Sequence, residues 1–159
     1  MMPLSKNSSK VQACLDGFGL NLEVRELAQS TRTAQEAADA VGCQLGQIIK
    51  SLVFRCGDKP LLFLVSGRHQ LDVAKVRNLL GLKIEKADAD FAREHTGYPI
   101  GGVPPVAHDH PMDIFIDSEL LGYDEVWAAA GMPNAVFRIN SSDLPRVTGG
   151  RVIDGTFEN

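Results

Sequence analysis

Lys50 lies where a charged side chain is unusual. Ile48 and Ile49 precede it and Leu52-Val53-Phe54 follows it, so apolar residues on both sides predict a strand with a buried face. A lysine in such a strand buries part of its aliphatic stem, and its ammonium then requires an anion or a cleft. Lys50 is therefore a candidate for binding an anionic substrate group. The alternative is a lysine at a strand edge whose ammonium simply reaches solvent.

A second candidate is the segment 97–105, which is rich in glycine and proline. Glycine lets a backbone approach a ligand closely, and proline fixes the shape of the loop around it. The amides of Gly101, Gly102 and Val103 can donate hydrogen bonds to an oxyanion or a phosphate, whereas the two prolines that follow have no N–H. A rigid turn with only a structural role is the alternative.

Three further side chains have two interpretations each. His69 follows a predicted strand and lines a pocket or lies on the surface. Tyr98 stacks on a base or acts as an aromatic wedge that holds the loop. His108 and His110 have the His-x-His spacing of a metal site, but Pro111 follows at once and no third ligand has a matching spacing, so no metal is predicted.

Composition and missing motifs exclude several classes of protein. The 159 residues contain no nucleophile elbow, P-loop, dinucleotide-binding or H-E-x-x-H pattern. The net charge of -4 argues against extended DNA binding, although contact with one nucleic-acid end stays open. Three cysteines without a C-x-x-C pair indicate reduced thiols, and no apolar run predicts a membrane span or a signal peptide. A cytoplasmic protein is expected.

The elements that must position these residues alternate between helix and strand. Helices are predicted at 9–18, from Thr33 as N-cap to Gly42, at 72–80 before Gly81, at 87–95 and from Ser142 onwards; strands are predicted at 22–27, 51–56, 61–65, 112–117, 125–130 and 135–139, with a loop at 97–111. The strands 51–56 and 61–65 are predicted to form a hairpin. This pattern predicts one α/β domain over residues 1–159, with a strand order that the pattern leaves open.

The ordered set of motifs resembles the YbaK / prolyl-tRNA synthetase-associated (INS-like) editing-domain family. The similar segments are Thr33-x-x-x-Ala37-Ala38, Gly42, Ile49-Lys50-Ser51-Leu52-x-Phe54, Ser66-Gly67, Leu71-Asp72-x-x-Lys75, Leu80-Gly81, Gly97-Tyr98-x-x-Gly101-Gly102-Val103-x-Pro105, the strand ending in Asp117, and Ala129-Ala130-Gly131. They cover about residues 30–145 in the family's order. Pro104 stands where many members have Ser, Thr or Gly, and Ser51 stands where some alanine-editing members have Asn.

The resemblance implies a trans-editing hydrolase that cleaves the ester bond between a wrong amino acid and its tRNA, with a tRNA(Pro)-type substrate expected. It implies a single compact α/β domain with a mixed, partly barrel-like sheet flanked by helices. It also implies substrate-assisted hydrolysis without metal, cofactor or enzyme nucleophile. The expected catalytic residues are Lys50, Gly101, Gly102 and Val103, and the expected substrate-binding residues are Ser51, His69, Tyr98, Pro104, Pro105 and Gly131.

Two other functions stay open at this point. The same pocket in a non-catalytic module would bind a nucleotide or aminoacyl group and dock on an aminoacyl-tRNA synthetase. A DNA-binding protein is the third alternative, against which the acidic charge balance counts. The partner expected from the leading hypothesis is the acceptor end of an aminoacyl-tRNA, with a synthetase as a further partner and no membrane association.

Overall fold

The computed structural model of the chain describes residues 3–29, 31 and 33–158. The helices are α1 (Lys6–Asp16), α2 (Ala34–Val41), α3 (Val73–Leu80), α4 (Ala89–Thr96) and α5 (Leu144–Thr148). The strands are β1 (Val24–Glu26), β2 (Ile49–Cys56), β3 (Lys59–Ser66), β4 (His69–Leu71), β5 (Glu85–Lys86), β6 (Asp113–Asp117), β7 (Glu125–Ala129), β8 (Ala135–Asn140), β9 (Arg151–Ile153) and β10 (Thr156–Glu158). No helix in these ranges is long and apolar enough to cross a membrane.

The largest sheet has five strands in the order β5-β2-β3-β6-β9. β2 and β3 form the predicted hairpin, antiparallel from Ile49 opposite Ser66 to Cys56 opposite Lys59. β6 then adds to β3 in parallel, and β9 adds to β6 in parallel. The hairpin is confirmed, and it is longer than the apolar pattern indicated because polar residues at its ends still pair.

A three-stranded antiparallel sheet, β1-β8-β7, and a two-stranded ribbon, β4-β10, complete the fold. A single parallel bridge between Ile48 and Trp127 connects the three-stranded sheet to the five-stranded one. The mixed α/β fold class is thereby confirmed. The strands β4, β5, β9 and β10 had no counterpart among the predicted elements, because two or three residues are too few for an alternating pattern to register.

The helix ends follow local chemistry. Thr33 caps α2 by accepting a hydrogen bond from the Glu36 N–H, and Gly42 ends that helix in the left-handed region, both as predicted. Asp72 and Asp88 cap α3 and α4 in the same manner. The helix predicted at 9–18 is instead Lys6–Asp16, because Ser5 accepts from the Ser8 N–H and so starts it earlier.

The hydrophobic core lies on both faces of the five-stranded sheet. Leu62 and Leu64 of β3 point into one cluster, together with Val53 and Val103. Phe63 points into the other cluster, where its ring lies 5.4 Å from that of Phe54 and 5.1 Å from that of Phe115. Because β3 is buried on both faces, it forms the rigid centre against which the edge strand β2 is held.

Candidate active site at the open edge of β2

β2 is paired on its outer edge only at its two ends. The bridge between Ile48 and Trp127 lies just before it, and Phe54 and Arg55 pair with β5 near its end. Between these points, no strand in the described part of the chain pairs with residues 50–52 on that side. A sheet edge of this kind leaves main-chain donors and acceptors available to another molecule.

The alternation of the strand shows which main-chain groups face this gap. Ile48 O accepts from Gly67 N–H on the β3 side (2.7 Å), and Val53 O accepts from Ala87 N–H on the opposite side (3.1 Å). Successive residues of a strand direct their N–H and C=O to alternate neighbours. Ser51 therefore presents both its main-chain N–H and its C=O to the open edge.

Two adjoining cavities lie along this edge. One has a volume of about 370 Å³ and is lined mainly by apolar residues, among them Ala34, Ala37, Ile48, Trp127 and Val136. The other, of about 320 Å³, extends towards Gln70, Leu71, Lys86 and Ala87. They share a wall made of Lys50, Ser51, Leu52, Ile100 and Val103. The two predicted features, the lysine and the loop, thus meet at one place.

Lys50 reaches this wall from the strand. Its ammonium donates a hydrogen bond to the main-chain carbonyl of His69. Burial lowers the pKa of Lys50, and the Asp117 carboxylate opposes that shift by attracting the charge. An ammonium has three N–H donors, so two of them remain for a substrate in the cavity.

The loop opposite Lys50 begins with a tight turn. Gly102 N–H donates to Pro99 O at 2.9 Å, and Gly101 at the third position of that turn has a φ of +89°. Such a turn requires a positive φ at this position, which glycine adopts without strain. The expectation that Gly102 donates to the substrate is revised accordingly, because its N–H is already used inside the loop.

The amides on either side of Gly102 are in a different situation. Neither Gly101 N–H nor Val103 N–H has a hydrogen-bond acceptor among the residues that the structure describes. Both residues border the larger cavity, and Val103 is only 1% exposed. Buried amides without a partner are rare in folded proteins, so this pair is suited to an anion or a carbonyl oxygen from a ligand.

Gly102 and Gly131 fix the loop from behind. Gly131 N–H donates to Gly102 O at 2.8 Å. A Cβ on Gly102 would lie 2.9 Å from both Cα and N of Met132, so no side chain fits between the two segments. Gly131 has a φ of +98° and faces the backbone of Asn7. These two glycines position the loop and lie outside the cavity walls.

Three other predicted binding residues are buried behind the loop. Tyr98 is 0% exposed and donates its hydroxyl to Ala107 O at 2.7 Å, which is the wedge interpretation of this ring. Pro104 and Pro105 are also buried and do not border either cavity. His108 Nε2–H donates to Pro104 O at 2.6 Å, and burial lowers the pKa of this histidine. The loop is therefore held from its protein side by side chains that do not reach the cavities.

His69 lies beside the site rather than in its wall. Its carbonyl accepts from Lys50, while its ring nitrogen Nδ1 lies 3.1 Å from Asp117 Oδ2 and 2.8 Å from Thr156 Oγ1. The imidazole is therefore occupied by protein groups. The histidine pair suggested by spacing is also separated in function, since His108 binds Pro104 and Asp109 pairs with Lys10.

Within the described ranges, no group of three or more His, Cys, Asp or Glu side chains is placed to hold a metal ion.

Ser51 carries a buried hydroxyl without a protein partner. Its Oγ is inaccessible to solvent and has no hydrogen-bond partner within the described residues. Alternation along β2 places its side chain on the face of Ile49 and Val53, which is also the face of Val103. A buried polar atom left unpaired costs about 1–3 kcal/mol, so a ligand that supplies the partner gains that amount.

Two wall residues escaped the sequence analysis. Ile100 is 55% exposed at the rim of both cavities. An isoleucine directly before two loop glycines is an apolar residue without an apolar pattern around it, and this was the available signal. Trp127, the only tryptophan of the chain, lines the larger cavity from β7, but a tryptophan in a strand reads equally well as core.

Comparison with known proteins identifies the family. The model of the aminoacyl-tRNA editing domain matches residues 28–147. This chain belongs to the aminoacyl-tRNA editing domain family. The matched range contains Lys50, Ser51 and the whole 97–105 loop, and it ends within α5, before β9 and β10. The resemblance to the YbaK / prolyl-tRNA synthetase-associated editing domains is confirmed.

Curated relatives of this editing domain are both free-standing and part of larger enzymes. An uncharacterized protein, YwhH of Bacillus subtilis, is 32% identical over 123 residues, which are 77% of this chain and 78% of that protein. A proline–tRNA ligase of Bacillus licheniformis is 32% identical over 130 residues, which are 79% of this chain and 21% of the ligase. The chain thus spans about a fifth of the ligase and most of YwhH.

Solved structures show the same fold over nearly the whole chain. A candidate trans-editing enzyme for prolyl tRNA synthetase has a TM-score of 0.92 and 47% identity, with 98% of this chain and 99% of that one covered. The hypothetical protein APE2540 has a TM-score of 0.86 and 30% identity, with 93% and 99% covered.

Proposed function

We propose that this protein is an aminoacyl-tRNA deacylase that removes a wrong amino acid from a mischarged tRNA of the tRNA(Pro) type. The observation that carries the proposal is the meeting of Lys50 with the unpaired Gly101 and Val103 amides at one cavity wall. A cation and two free amides are what the terminal nucleotide and the ester carbonyl of an aminoacyl-tRNA need. The proline–tRNA ligases among the relatives support the choice of tRNA.

The reaction is a hydrolysis in which the protein supplies position and charge. Water adds to the ester carbonyl carbon, and the carbonyl oxygen gains negative charge that the Gly101 and Val103 amides stabilise. One oxyanion donor is worth about 3–4 kcal/mol in reactions of this kind. The bond to the ribose oxygen then breaks, that oxygen takes a proton, and the free amino acid leaves. Lys50 holds the terminal phosphate or ribose in place.

The attacking group is water rather than a side chain. A hydroxyl becomes a nucleophile when an adjacent base removes its proton. The Ser51 Oγ borders the cavity, and its surroundings within the described residues contain no such base. The neighbouring ribose hydroxyl of the terminal adenosine is suited to orient the water, so that the substrate assists its own hydrolysis. No cofactor or metal is needed for these steps.

The acidic net charge of -4 is compatible with this substrate, because only the acceptor end of the tRNA enters the cavities. The open edge at Ser51 can receive the amino acid, whose ammonium and carbonyl groups match a main-chain acceptor and donor. We place the activity in the cytoplasm, where synthetases charge tRNA, and we propose that a synthetase is a further partner.

The test is a deacylation assay with purified protein and a panel of tRNAs that carry matched and mismatched amino acids. Release of the amino acid from mischarged tRNA(Pro), with correctly charged Pro-tRNA(Pro) left intact, is the expected result. Tight binding of the acceptor end without release would instead identify a non-catalytic module that docks on a synthetase. Preference for duplex DNA would identify the third alternative and contradict the proposal.

A further inference from the structure

Lys50 is held by a segment that lies far from it along the chain. The carbonyl that accepts its hydrogen bond belongs to His69, the first residue of β4. β4 pairs with β10, with Glu158 opposite His69 and Thr156 opposite Leu71. The acceptor that directs the ammonium is therefore itself fixed by β10, which lies outside the 28–147 range of the family match.

Asp117 connects the two strands of this ribbon to the large sheet. Its side chain is 1% exposed, at the end of β6. Oδ2 accepts from Ser66 N–H at 3.1 Å and lies 3.1 Å from His69 Nδ1, while Oδ1 accepts from the Thr156 hydroxyl at 3.1 Å and from Glu119 N–H at 3.0 Å. A buried carboxylate requires donors of this number, so the arrangement is specific and rigid.

The protons in this cluster have one consistent arrangement. The carboxylate of Asp117 only accepts, so the Thr156 hydroxyl gives its proton to Oδ1. Thr156 Oγ1 then accepts from the ring of His69, 2.8 Å away, which requires the proton on Nδ1. The ring of His69 is thus fixed by two acceptors, and its own main-chain carbonyl is fixed with it.

We propose that Asp117, His69 and Thr156 are positioning residues that hold the ammonium of Lys50 at the cavity wall, an inference that rests on the proposed function for its effect on catalysis. None of the three borders the cavities with its side chain. They act through the His69 carbonyl and through the charge of Asp117. The rise in the pKa of Lys50 that Asp117 causes is in the same direction, because it favours the charged form.

Thr156→Val is the informative variant, since it removes the hydroxyl and keeps the shape of the side chain. We expect the single-turnover rate of deacylation to fall about 10-fold, because small displacements of a positioned group are costly to a rate. Thr156→Ser restores the hydroxyl and should remain within about twofold of the wild-type rate. In a Lys50→Ala background, Thr156→Val should add less than about twofold, because residues that act through one another are not additive.

Thr148→Val is the matched control. The Thr148 hydroxyl also makes two hydrogen bonds, to Leu144 O at 2.8 Å and from Gly150 N–H at 3.0 Å, but it lies at the end of α5. It should lower stability by a similar amount and leave the rate per folded molecule unchanged. If both threonine variants lower the rate equally, or if Thr156→Val has the same effect with and without Lys50, the positioning role is refuted.

A measurement without tRNA separates this inference from the proposed function. The ¹⁵N resonance of the Lys50 ammonium reports its hydrogen bond directly, and it should shift in Thr156→Val but not in Thr148→Val. If the wild-type protein deacylates no tRNA yet the resonance shifts as expected, the proposed function fails and the positioning network stands. An unchanged Lys50 resonance in Thr156→Val overturns the network itself.

Discussion

β2 and β3 are the two strands of one hairpin, yet they serve different purposes. β3 is paired on both edges and its residues from Leu61 to Ser66 are buried. β2 is paired on its outer edge only at its ends, and the partly buried residues from Lys50 to Leu52 lie along the gap. The comparison teaches that a site arises where pairing stops, because a half-buried charge and unpaired main-chain groups require partners from outside the protein.

The largest expected effect is the loss of activity in Lys50→Ala. We expect deacylation to fall about 100- to 1000-fold, since the cation that positions the substrate is removed. The melting temperature should change by less than about 3 °C, because burial of the charge was itself unfavourable. Lys59→Ala on β3 is the control: its ammonium pairs with Asp113 at 2.8 Å on the surface, and its loss should leave turnover unchanged. Wild-type turnover by Lys50→Ala would mean that the lysine is only structural.

The reverse pattern is expected for the core strand. Leu62 is 0% exposed in the middle of β3, so Leu62→Ala should lower the free energy of unfolding by about 3 kcal/mol. The rate per folded molecule should stay near the wild-type value at a temperature where the variant is folded. Leu52→Ala on β2 should show the opposite balance, with a smaller loss of stability in chemical denaturation and a larger loss of rate. Equal balances would erase the distinction between the strands.

The loop gives an effect of intermediate size. Gly102→Ala places a Cβ 2.9 Å from the backbone of Met132, so the loop must move away and carry the Gly101 and Val103 amides with it. We expect a loss of activity of about 10- to 100-fold in single-turnover assays. Gly122→Ala is the control, since a Cβ there meets nothing within 4 Å. Activity in Gly102→Ala equal to that of the control would show that the amides do not contact the substrate.

The dependence on pH should distinguish activity from stability. The pKa of Lys50 is lowered from 10.5 by burial, so the catalysed rate, measured as the excess over Lys50→Ala, should fall at a pH below 10.5. The unfolded chain holds this proton more tightly than the folded chain. The contribution of Lys50 to stability therefore increases as the pH rises through the folded-state pKa, in the opposite direction to the rate. A catalysed rate that stays level through pH 10.5 would remove the charge of Lys50 from the mechanism.

Removal of metal ions should have the smallest effect. The nitrogen of His108 that faces the loop is occupied by Pro104 O, and Asp109 is occupied by Lys10. Dialysis against a chelator should therefore leave the rate of deacylation unchanged. Loss of activity that zinc or magnesium restores would contradict the metal-free mechanism.

Much of the fold could be predicted from local patterns. The β2–β3 hairpin, the Thr33 cap and the glycine ends of α2 and α3 depend on residues close together in sequence, where sterics and capping decide the conformation. The short strands could not be predicted, because their stability comes from pairing with distant segments. β10 illustrates this, since three residues pair only because β4 is available as a partner.

The sequence by itself determined that Lys50 and the glycine–proline loop are chemically unusual, because a buried charge and a loop with fixed backbone angles are properties of residue type and near neighbours. Only the tertiary structure decided which groups remain available. It consumed the Gly102 amide inside a turn, left those of Gly101 and Val103 free, and attached Lys50 to His69. Hydrogen bonds between segments far apart in sequence make these choices, and no local pattern encodes them.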